Sequence, residues 1–200
     1  MRSCEVAKER LMSTPPVPDA TLLLDPQAIE RALRRIAHEI IERNSDLRQV
    51  ALIGIPFRGV ELARRLAGFV EQIEKIPVEH GAIDVAMHRD DLHLRRRLAA
   101  VAATHLPFQL EGLTIVLVDD VAYTGRTCRA AMDALSSFGR PARIQFAALI
   151  DRGHRELPIR PDYIGKNLPT SRSERVFVRL RNADDVEDDG IWLAKTSDTQ

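Results

Sequence analysis

The chain has few cysteines, few aromatic residues and no long apolar runs. Its two cysteines, Cys4 and Cys128, form no CxxC pair, so neither a disulfide framework nor a zinc site is expected, and a reducing cytoplasm is the expected location. Aromatic residues are 4% of the total, so aliphatic side chains must fill the core. The apolar runs are too short to cross a membrane, and the N-terminal residues lack a signal-peptide pattern. A formal net charge of zero excludes a uniformly basic nucleic-acid binder, so such an activity must depend on local charge asymmetry.

Strand and helix patterns alternate along most of the chain. The sequence contains three near-continuous apolar runs, at residues 49–55, 114–118 and 143–150. Such runs are typical of parallel strands buried on both faces. A helix is predicted after the N-cap Asp25 and Pro26, and further helices are predicted at 59–73 and 127–138. The alternation predicts one domain of the α/β class, with a central, mostly parallel sheet flanked by helices.

The remaining segments depart from this alternation. Residues 1–20 include a proline cluster and are expected to form a disordered tail, with the folded domain at 21–181. An extended segment is predicted at 77–87, and residues 92–105 fit either a helix or a mobile loop. Short strands without helices between them predict a small C-terminal hood or edge unit, and they are 162–165, 175–180 and 190–194. Residues 182–200 carry six acids and one lysine, and they are expected to form a solvated acidic segment with a short edge strand.

The most informative motif follows the strand at 114–118. The apolar run delivers two adjacent carboxylates, Asp119 and Asp120, to the end of the strand, the edge where ligands bind in open α/β sheets. Residues 124–127, Thr-Gly-Arg-Thr, then open a helix whose free N–H groups and positive dipole favour a phosphate. The alternative without a ligand is an ordinary turn or helix cap. The combination of apolar run, paired carboxylates and Thr-Gly-Arg-Thr at a helix start instead favours a phosphorylated, hydroxyl-bearing ligand. Gly54 and Gly59 have P-loop spacing, yet Val-Glu follows where Lys-Ser/Thr is required.

The string 115–127 resembles the phosphoribosyl-pyrophosphate (PRPP) signature of type I phosphoribosyltransferases. Residues 35–44, 88–92 and 151–174 resemble the pyrimidine operon regulatory family, PyrR, whose members are RNA-binding attenuators and uracil phosphoribosyltransferases. The match is colinear from about Leu22 to Leu180. The resemblance implies a type I phosphoribosyltransferase-like fold and conversion of uracil and PRPP to uridine monophosphate (UMP) and pyrophosphate, with Mg²⁺ bound mainly by substrate.

The resemblance also implies roles for individual residues. The catalytic set is Asp119, Asp120, Arg58 and Arg89. The ribose and phosphate contacts are Asp119, Asp120, Tyr123, Thr124, Gly125, Arg126 and Thr127, and the pyrophosphate loop is Pro56, Phe57, Arg58 and Gly59. Tyr163 is expected to stack on the base, Ile164 to contact it through the main chain, and Asp90 to be a candidate metal neighbour. The basic run 95–97 matches a loop that closes over substrate, or is a solvated charge run.

A second activity requires an RNA surface, and charge is distributed unevenly. Residues 151–181 contain eight Lys or Arg against four acids, which could neutralise phosphates. The family resemblance implies an RNA-binding set for a messenger RNA leader, and it is Arg35, His38, His154, Arg155, Arg160 and Lys166. For Arg35 and His38 the alternative is a solvated helix face. A homodimer or higher homo-oligomer is expected from the family.

Some positions depart from the family pattern and leave two hypotheses open. Phe57 and Ala86 replace threonines, His88 replaces a tyrosine, and Ala122 replaces a leucine. Loss of one phosphate donor costs on the order of 1–3 kcal/mol. The chain is therefore either an active uracil phosphoribosyltransferase that also regulates transcription, or a catalytically weak nucleotide sensor that binds RNA. A weaker third alternative is an adenine or hypoxanthine enzyme.

Overall fold

A five-stranded parallel sheet forms the centre of the molecule. The computed structural model describes residues 19–86 and 104–195. The strand order is β3-β2-β4-β5-β6. The strands are β2 (Val50–Gly54), β3 (Glu79–Ala82), β4 (Thr114–Ala122), β5 (Arg143–Asp151) and β6 (Tyr163–Asn167). Because all pairings are parallel, the carboxyl ends of the strands meet at one edge. The predicted α/β class with a central, mostly parallel sheet is therefore confirmed.

Within the described ranges, three α-helices cover the two faces of this sheet. They are α1 (Pro26–Arg43), α2 (Arg58–Glu74) and α3 (Arg126–Leu135), and a short 3₁₀ turn covers Leu47–Gln49. Asp25 caps α1 by accepting a hydrogen bond from the Ala28 N–H at 2.7 Å, as predicted. The apolar stripes of α1 and α2 pack on one face of the sheet, and α3 packs on the other. None of the helices in the described residues combines the length and apolarity needed to cross a membrane.

A second, antiparallel sheet has the strand order β1-β8-β7. Its strands are β1 (Thr21–Leu24), β7 (Glu174–Arg179) and β8 (Gly190–Lys195). Two of the strands predicted for the hood unit, at 175–180 and 190–194, lie in this sheet, but the one predicted at 162–165 is β6 of the central sheet. The expected edge strand at the C-terminus is wrong as well, because β8 pairs on both sides. The physical reason is β1, a short strand that the sequence pattern did not reveal and that supplies the second partner of β8.

The acidic segment before β8 is also not a solvated end. Asp189 forms a salt bridge with Arg65 of α2, and both side chains are largely buried. The Asn182 side-chain amide donates to the Glu61 carboxylate at 2.8 Å. These contacts hold residues 181–189 against α2. Asp189 supplies the opposite charge that stabilises the largely buried guanidinium of Arg65.

Several expectations lie outside the described residues. These are the tail up to residue 18, the basic run 95–97, and the positions of His88, Arg89 and Asp90. The extended segment predicted at 77–87 is a four-residue strand, and the helix predicted at 127–138 ends at Leu135.

Candidate active site

The two motif carboxylates lie within the last four residues of β4. Asp119 is 8% exposed and Asp120 is half-buried. The Asp119 side chain accepts the N–H of Asp120 at 2.9 Å, and the Asp120 side chain accepts the N–H of Val121 at 2.8 Å. These bonds orient both carboxylates at the carboxyl edge of the sheet, where the sequence predicted a ligand.

The loop from β4 to α3 has the backbone of a phosphate cradle. Gly125 adopts φ of 90° at the N-cap position, a left-handed conformation that favours glycine. The Thr124 carbonyl accepts the N–H groups of Glu156 and Leu157 at 3.0 and 3.1 Å. The loop is thus held from behind, and α3 begins at Arg126 with its first N–H groups at the edge of the sheet.

The loop between β2 and α2 is held against the same edge. The Ile55 N–H donates to the Val118 carbonyl at 2.9 Å. A Cβ on Gly59 would lie 2.3 Å from that carbonyl oxygen, so only glycine fits there. Pro56 is half-buried and Phe57 is 58% exposed, with a cis peptide bond between them. The predicted pyrophosphate loop therefore lies directly beside the carboxylates.

Arg58 links this loop to two acids. Its Nη1 lies 3.5 Å from the Asp120 carboxylate. Its Nε and Nη2 donate to the Asp184 carboxylate at 2.8 and 2.7 Å. Burial alone would lower the pKa of Arg58, but the bonds to Asp184 and the charge of Asp120 raise it above its usual value. The guanidinium is therefore a permanent cation at the edge of the sheet.

A cleft of about 250 Å³ opens at Arg58 and Asp120. Its other wall is formed by β7 and by Asp184, and the β7 residues are Arg175, Val176, Phe177, Val178 and Arg179. Sequence reasoning missed both elements as parts of the site. The available signal was the pattern of β7, in which arginines and one phenylalanine alternate with valines. Such a pattern indicates a strand with one face on the core and the other face toward a polar environment.

A cluster behind the phosphate loop was missed as well. The Arg152 guanidinium lies 4.2 Å from the centre of the Tyr123 ring, although Arg152 is only 8% exposed. It also donates to the Thr170 hydroxyl and to the carbonyls of Ser171 and Glu174. Arg152 therefore connects the loop after β4 to the segment that precedes β7.

The prediction that Tyr163 stacks on a base is contradicted. The side chain is 1% exposed and does not line the cleft. Its hydroxyl donates to Gln145 at 3.0 Å and accepts from Asn44 at 3.2 Å. The reason is that Tyr163 begins β6 on the sheet face that α1 covers, so its ring fills the core between the helix and the sheet.

Ile164 also differs from its expected role. Its carbonyl, expected to face a base, accepts a hydrogen bond from Arg35 at 2.9 Å. Arg35 bonds the next carbonyl, that of Gly165, and the Glu39 carboxylate. Arg35 therefore ties α1 to the edge strand β6, which is a structural role that the sequence did not indicate.

Comparisons with known proteins identify the family. The phosphoribosyl transferase domain family matches residues 19–178. The bifunctional protein PyrR of Roseiflexus sp. (strain RS-1) is 56% identical over 88% of this chain and 96% of its own length. The PyrR of Chloroflexus aurantiacus is 54% identical over 88% of this chain and 97% of its own length. The chain belongs to the PyrR family.

The family relationship extends to the fold of more distant enzymes. The hypoxanthine phosphoribosyltransferase of Trypanosoma cruzi, solved with its product IMP, superposes with a TM-score of 0.60 at 17% identity. The superposition covers 83% of this chain and 82% of that one. At this identity the likeness establishes the fold alone.

The remaining residues expected to contact RNA in a PyrR protein lie on three elements. His38 is exposed on α1, and Lys166 is exposed in the edge strand β6. His154, Arg155 and Arg160 lie between β5 and β6, where Arg155 pairs with Asp151 and the His154 ring contacts the Thr170 carbonyl. Arg35 connects α1 to β6, whereas Ile159 of the segment between β5 and β6 packs on the sheet face that α3 covers.

Proposed function

We propose that the cleft beside Asp120 converts uracil and PRPP to UMP and pyrophosphate. The observation that supports this most is the meeting of three parts at one sheet edge in a PyrR family member. These parts are the carboxylate pair, the loop that opens α3, and the Arg58 loop. A carboxylate pair suits ribose hydroxyls, and two separate anion sites suit a sugar bearing both a 5′-phosphate and a pyrophosphate.

The roles follow from position. Asp119 and Asp120 accept hydrogen bonds from ribose hydroxyls and oppose the positive charge that develops on the sugar as pyrophosphate leaves. Residues 123–127 hold the 5′-phosphate, and 56–59 hold the pyrophosphate with Arg58 as its cation. Catalysis is then chiefly positioning and charge stabilisation, because no side chain must form a covalent bond.

The base is assigned to the wall formed by β7. Phe177 is the aromatic residue among those that line the cleft. The flat face of its ring suits a pyrimidine, and the polar groups around it suit the oxygens and N–H groups of the base. In this assignment Phe177 stacks on the base in place of Tyr163. The main chain of β7 contacts the base in place of the main chain of Ile164.

Magnesium fits the site as a partner of the substrate. Among the described residues there is no cluster of three or more His, Cys, Asp or Glu that could hold a metal ion. The Asp120 carboxylate lines the cleft and offers the oxygen donors that Mg²⁺ prefers, whereas the Asp184 carboxylate is paired with Arg58. When bound through the diphosphate, the ion would neutralise charge on the leaving group.

The decisive assay measures UMP formation from uracil at millimolar PRPP. Asp120→Asn should lower kcat/KM by roughly 10- to 1000-fold, because an amide cannot oppose the developing positive charge. Asp185→Asn removes the same charge at an exposed residue and should leave turnover unchanged. Equal activity of wild type and Asp120→Asn would remove the carboxylate from the reaction. Adenine and hypoxanthine as competing bases test the third alternative.

The second proposed activity is UMP-responsive binding of a messenger RNA leader, which attenuates transcription of pyrimidine genes. The proposed RNA contacts are Arg35, His38, His154, Arg155, Arg160 and Lys166, and the exposure of all of them except the half-buried His154 supports this. Both substrates and transcripts place the protein in the cytoplasm. At least a dimer is proposed from family membership, and light scattering of the purified protein tests it.

The alternative of a sensor with weak turnover depends on Phe57, and the bifunctional relatives give it no support. The ring is 58% exposed in the pyrophosphate loop, where the family resemblance gives a hydroxyl donor. Phe57→Thr should then raise kcat/KM by roughly 10-fold. Equal rates in both proteins would exclude Phe57 as a cause of slow turnover.

A further inference from the structure

Asp184 makes a two-point contact with the cation of the pyrophosphate loop. Its two carboxylate oxygens accept the Nε and Nη2 of Arg58 at 2.8 and 2.7 Å. One of these oxygens also accepts the Leu180 N–H at 2.9 Å. The side chains of Arg58 and Asp184 are 36% and 18% exposed, so the pair is only partly screened by water.

The loop that holds Asp184 is itself anchored at several points. The Asp184 N–H donates to the Leu180 carbonyl at 2.8 Å, closing a tight turn after β7. Asp189 pairs with Arg65 and accepts the Arg181 N–H at 2.8 Å. The position of Asp184 is therefore determined by α2 and by the backbone, independently of Arg58.

This anchoring determines the orientation of the Arg58 guanidinium. With Nε and Nη2 both bonded to Asp184, the plane of the group is fixed, and Nη1 is the remaining edge. Nη1 lies 3.5 Å from the Asp120 carboxylate, and Arg58 and Asp120 both line the cleft. An arginine without this partner would sample other rotamers and lose entropy on binding an anion.

We propose that Asp184 is a positioning residue, which holds Arg58 with its Nη1 edge toward the pyrophosphate of the substrate. This rests on the proposed function, because it takes Arg58 as the pyrophosphate cation. Burial would raise the pKa of Asp184, but the bonds from Arg58 and the Leu180 N–H lower it below its usual value. The carboxylate is therefore ionised at neutral pH and pairs with Arg58 throughout the working range.

A double-mutant cycle on KM for PRPP tests the proposal. Asp184→Asn should raise that KM by about 3- to 30-fold, because a charge-assisted contact is replaced by a neutral one. The KM for uracil should stay within about twofold, since the base lies elsewhere in the cleft. In an Arg58→Ala background, Asp184→Asn should change the KM for PRPP by less than about twofold.

Two further variants complete the design. Asp185→Asn, an equal charge change at the neighbouring exposed position, should match wild type. Arg58→Lys keeps the charge but loses the two-point pair, so it should raise the KM for PRPP even if Asp184→Asn folds poorly. A thermal melt of every variant reports folding separately from KM.

Two outcomes of the kinetic cycle would overturn the proposal. One is an unchanged KM in Asp184→Asn or Arg58→Lys. The other is a full effect of Asp184→Asn that persists in the Arg58→Ala background, which would mean that Asp184 contacts the substrate or its Mg²⁺ directly. If wild type forms no UMP, the proposed function fails, and the same cycle is read from pyrophosphate binding by calorimetry. Absence of pyrophosphate binding to wild type would overturn the proposal as well.

Discussion

Gly125 lies directly against Leu157, so that a Cβ on the glycine would be 3.3 Å from the leucine Cβ. The same hypothetical atom would be 3.3 Å from the Cβ of Ile159. The segment after β5 therefore packs behind the loop that opens α3, and the shape of the proposed phosphate site depends on residues about thirty positions away in sequence.

Replacement of Gly125 by alanine should damage both stability and nucleotide binding. The substitution combines a left-handed backbone with contact to two side chains, so we expect a loss of about 2–3 kcal/mol in the free energy of unfolding. Weaker UMP binding should accompany it, because the shifted loop carries the first N–H groups of α3. Urea unfolding and calorimetry with UMP measure the two effects.

Gly112→Ala is the matched control for that experiment. Gly112 has φ of 76°, and a methyl group added there would have no neighbouring atoms within 4 Å, so only backbone strain remains. The substitution should cost about 1 kcal/mol and leave UMP affinity unchanged. Equal effects of the two substitutions on UMP binding would contradict the packing argument.

The base subsite is tested by exchanging two rings for leucine. Phe177→Leu should raise the KM for uracil by roughly 5- to 30-fold, because stacking on a base contributes about 1–2 kcal/mol. Tyr163→Leu should lower the free energy of unfolding by about 2–4 kcal/mol, because it empties part of the core and leaves Asn44 and Gln145 without the hydroxyl. Its KM for uracil should not change.

Steady-state kinetics and urea unfolding on the same preparations separate these roles. If Tyr163→Leu raised the KM for uracil and Phe177→Leu left it unchanged, Tyr163 would be the residue that stacks on the base. Its ring would then have to turn outward when uracil binds.

Glu61 should make the protein sensitive to acid. Burial would raise its pKa, but hydrogen bonds from Arg64, Arg65 and Asn182 outweigh this and lower it from 4.5 to about 2. A carboxylate whose pKa is lower in the folded protein stabilises the folded state at pH values above its pKa in the unfolded chain. This stabilisation should therefore be lost as the pH falls from about 4.5 to about 2. Glu61→Gln should cost about 1–3 kcal/mol at pH 7 and progressively less in acid.

Denaturant unfolding between pH 2 and pH 7 measures this difference. Glu71→Gln removes an exposed carboxylate from the same helix and should show little difference from wild type. If the difference in free energy of unfolding between wild type and Glu61→Gln stayed constant across that range, the charge of Glu61 would not contribute to stability.

RNA binding should depend on salt through the cations beside β6. Lys166→Ala should weaken binding of a leader transcript and reduce the slope of log K against log salt by about one unit, if the lysine neutralises one phosphate. Lys75→Ala, at an exposed cation outside the proposed set, should leave the slope unchanged. Filter binding across a range of salt concentrations measures both, and identical slopes in all three proteins would exclude Lys166 from the surface.

Local patterns predicted the parts of the molecule that local forces determine. The buried runs of β2, β4 and β5 and the capped start of α1 are visible in the sequence because burial and capping act on neighbouring residues. Asp119, Asp120 and the loop at 124–127 are contiguous, so their meeting at the sheet edge required only the strand and helix that flank them.

Contacts between distant segments were not predictable in the same way. Asp184 lies 126 residues from Arg58 along the chain, and composition alone suggested only a solvated acidic tail. Tyr163 was assigned from resemblance, whereas the orientation of its ring depends on which face of β6 is covered by α1. Strand β1 is four residues long, too short for a reliable period-two pattern.

The central claim is that a ribose 5′-phosphate binds where β4 leads into α3. A crystal structure of the protein with UMP tests it most directly. We expect the phosphate within hydrogen-bond distance of the backbone N–H groups of 125–127, and the ribose hydroxyls on Asp119 and Asp120. UMP bound elsewhere, with this loop and the two carboxylates untouched, would contradict both the catalytic and the sensing role.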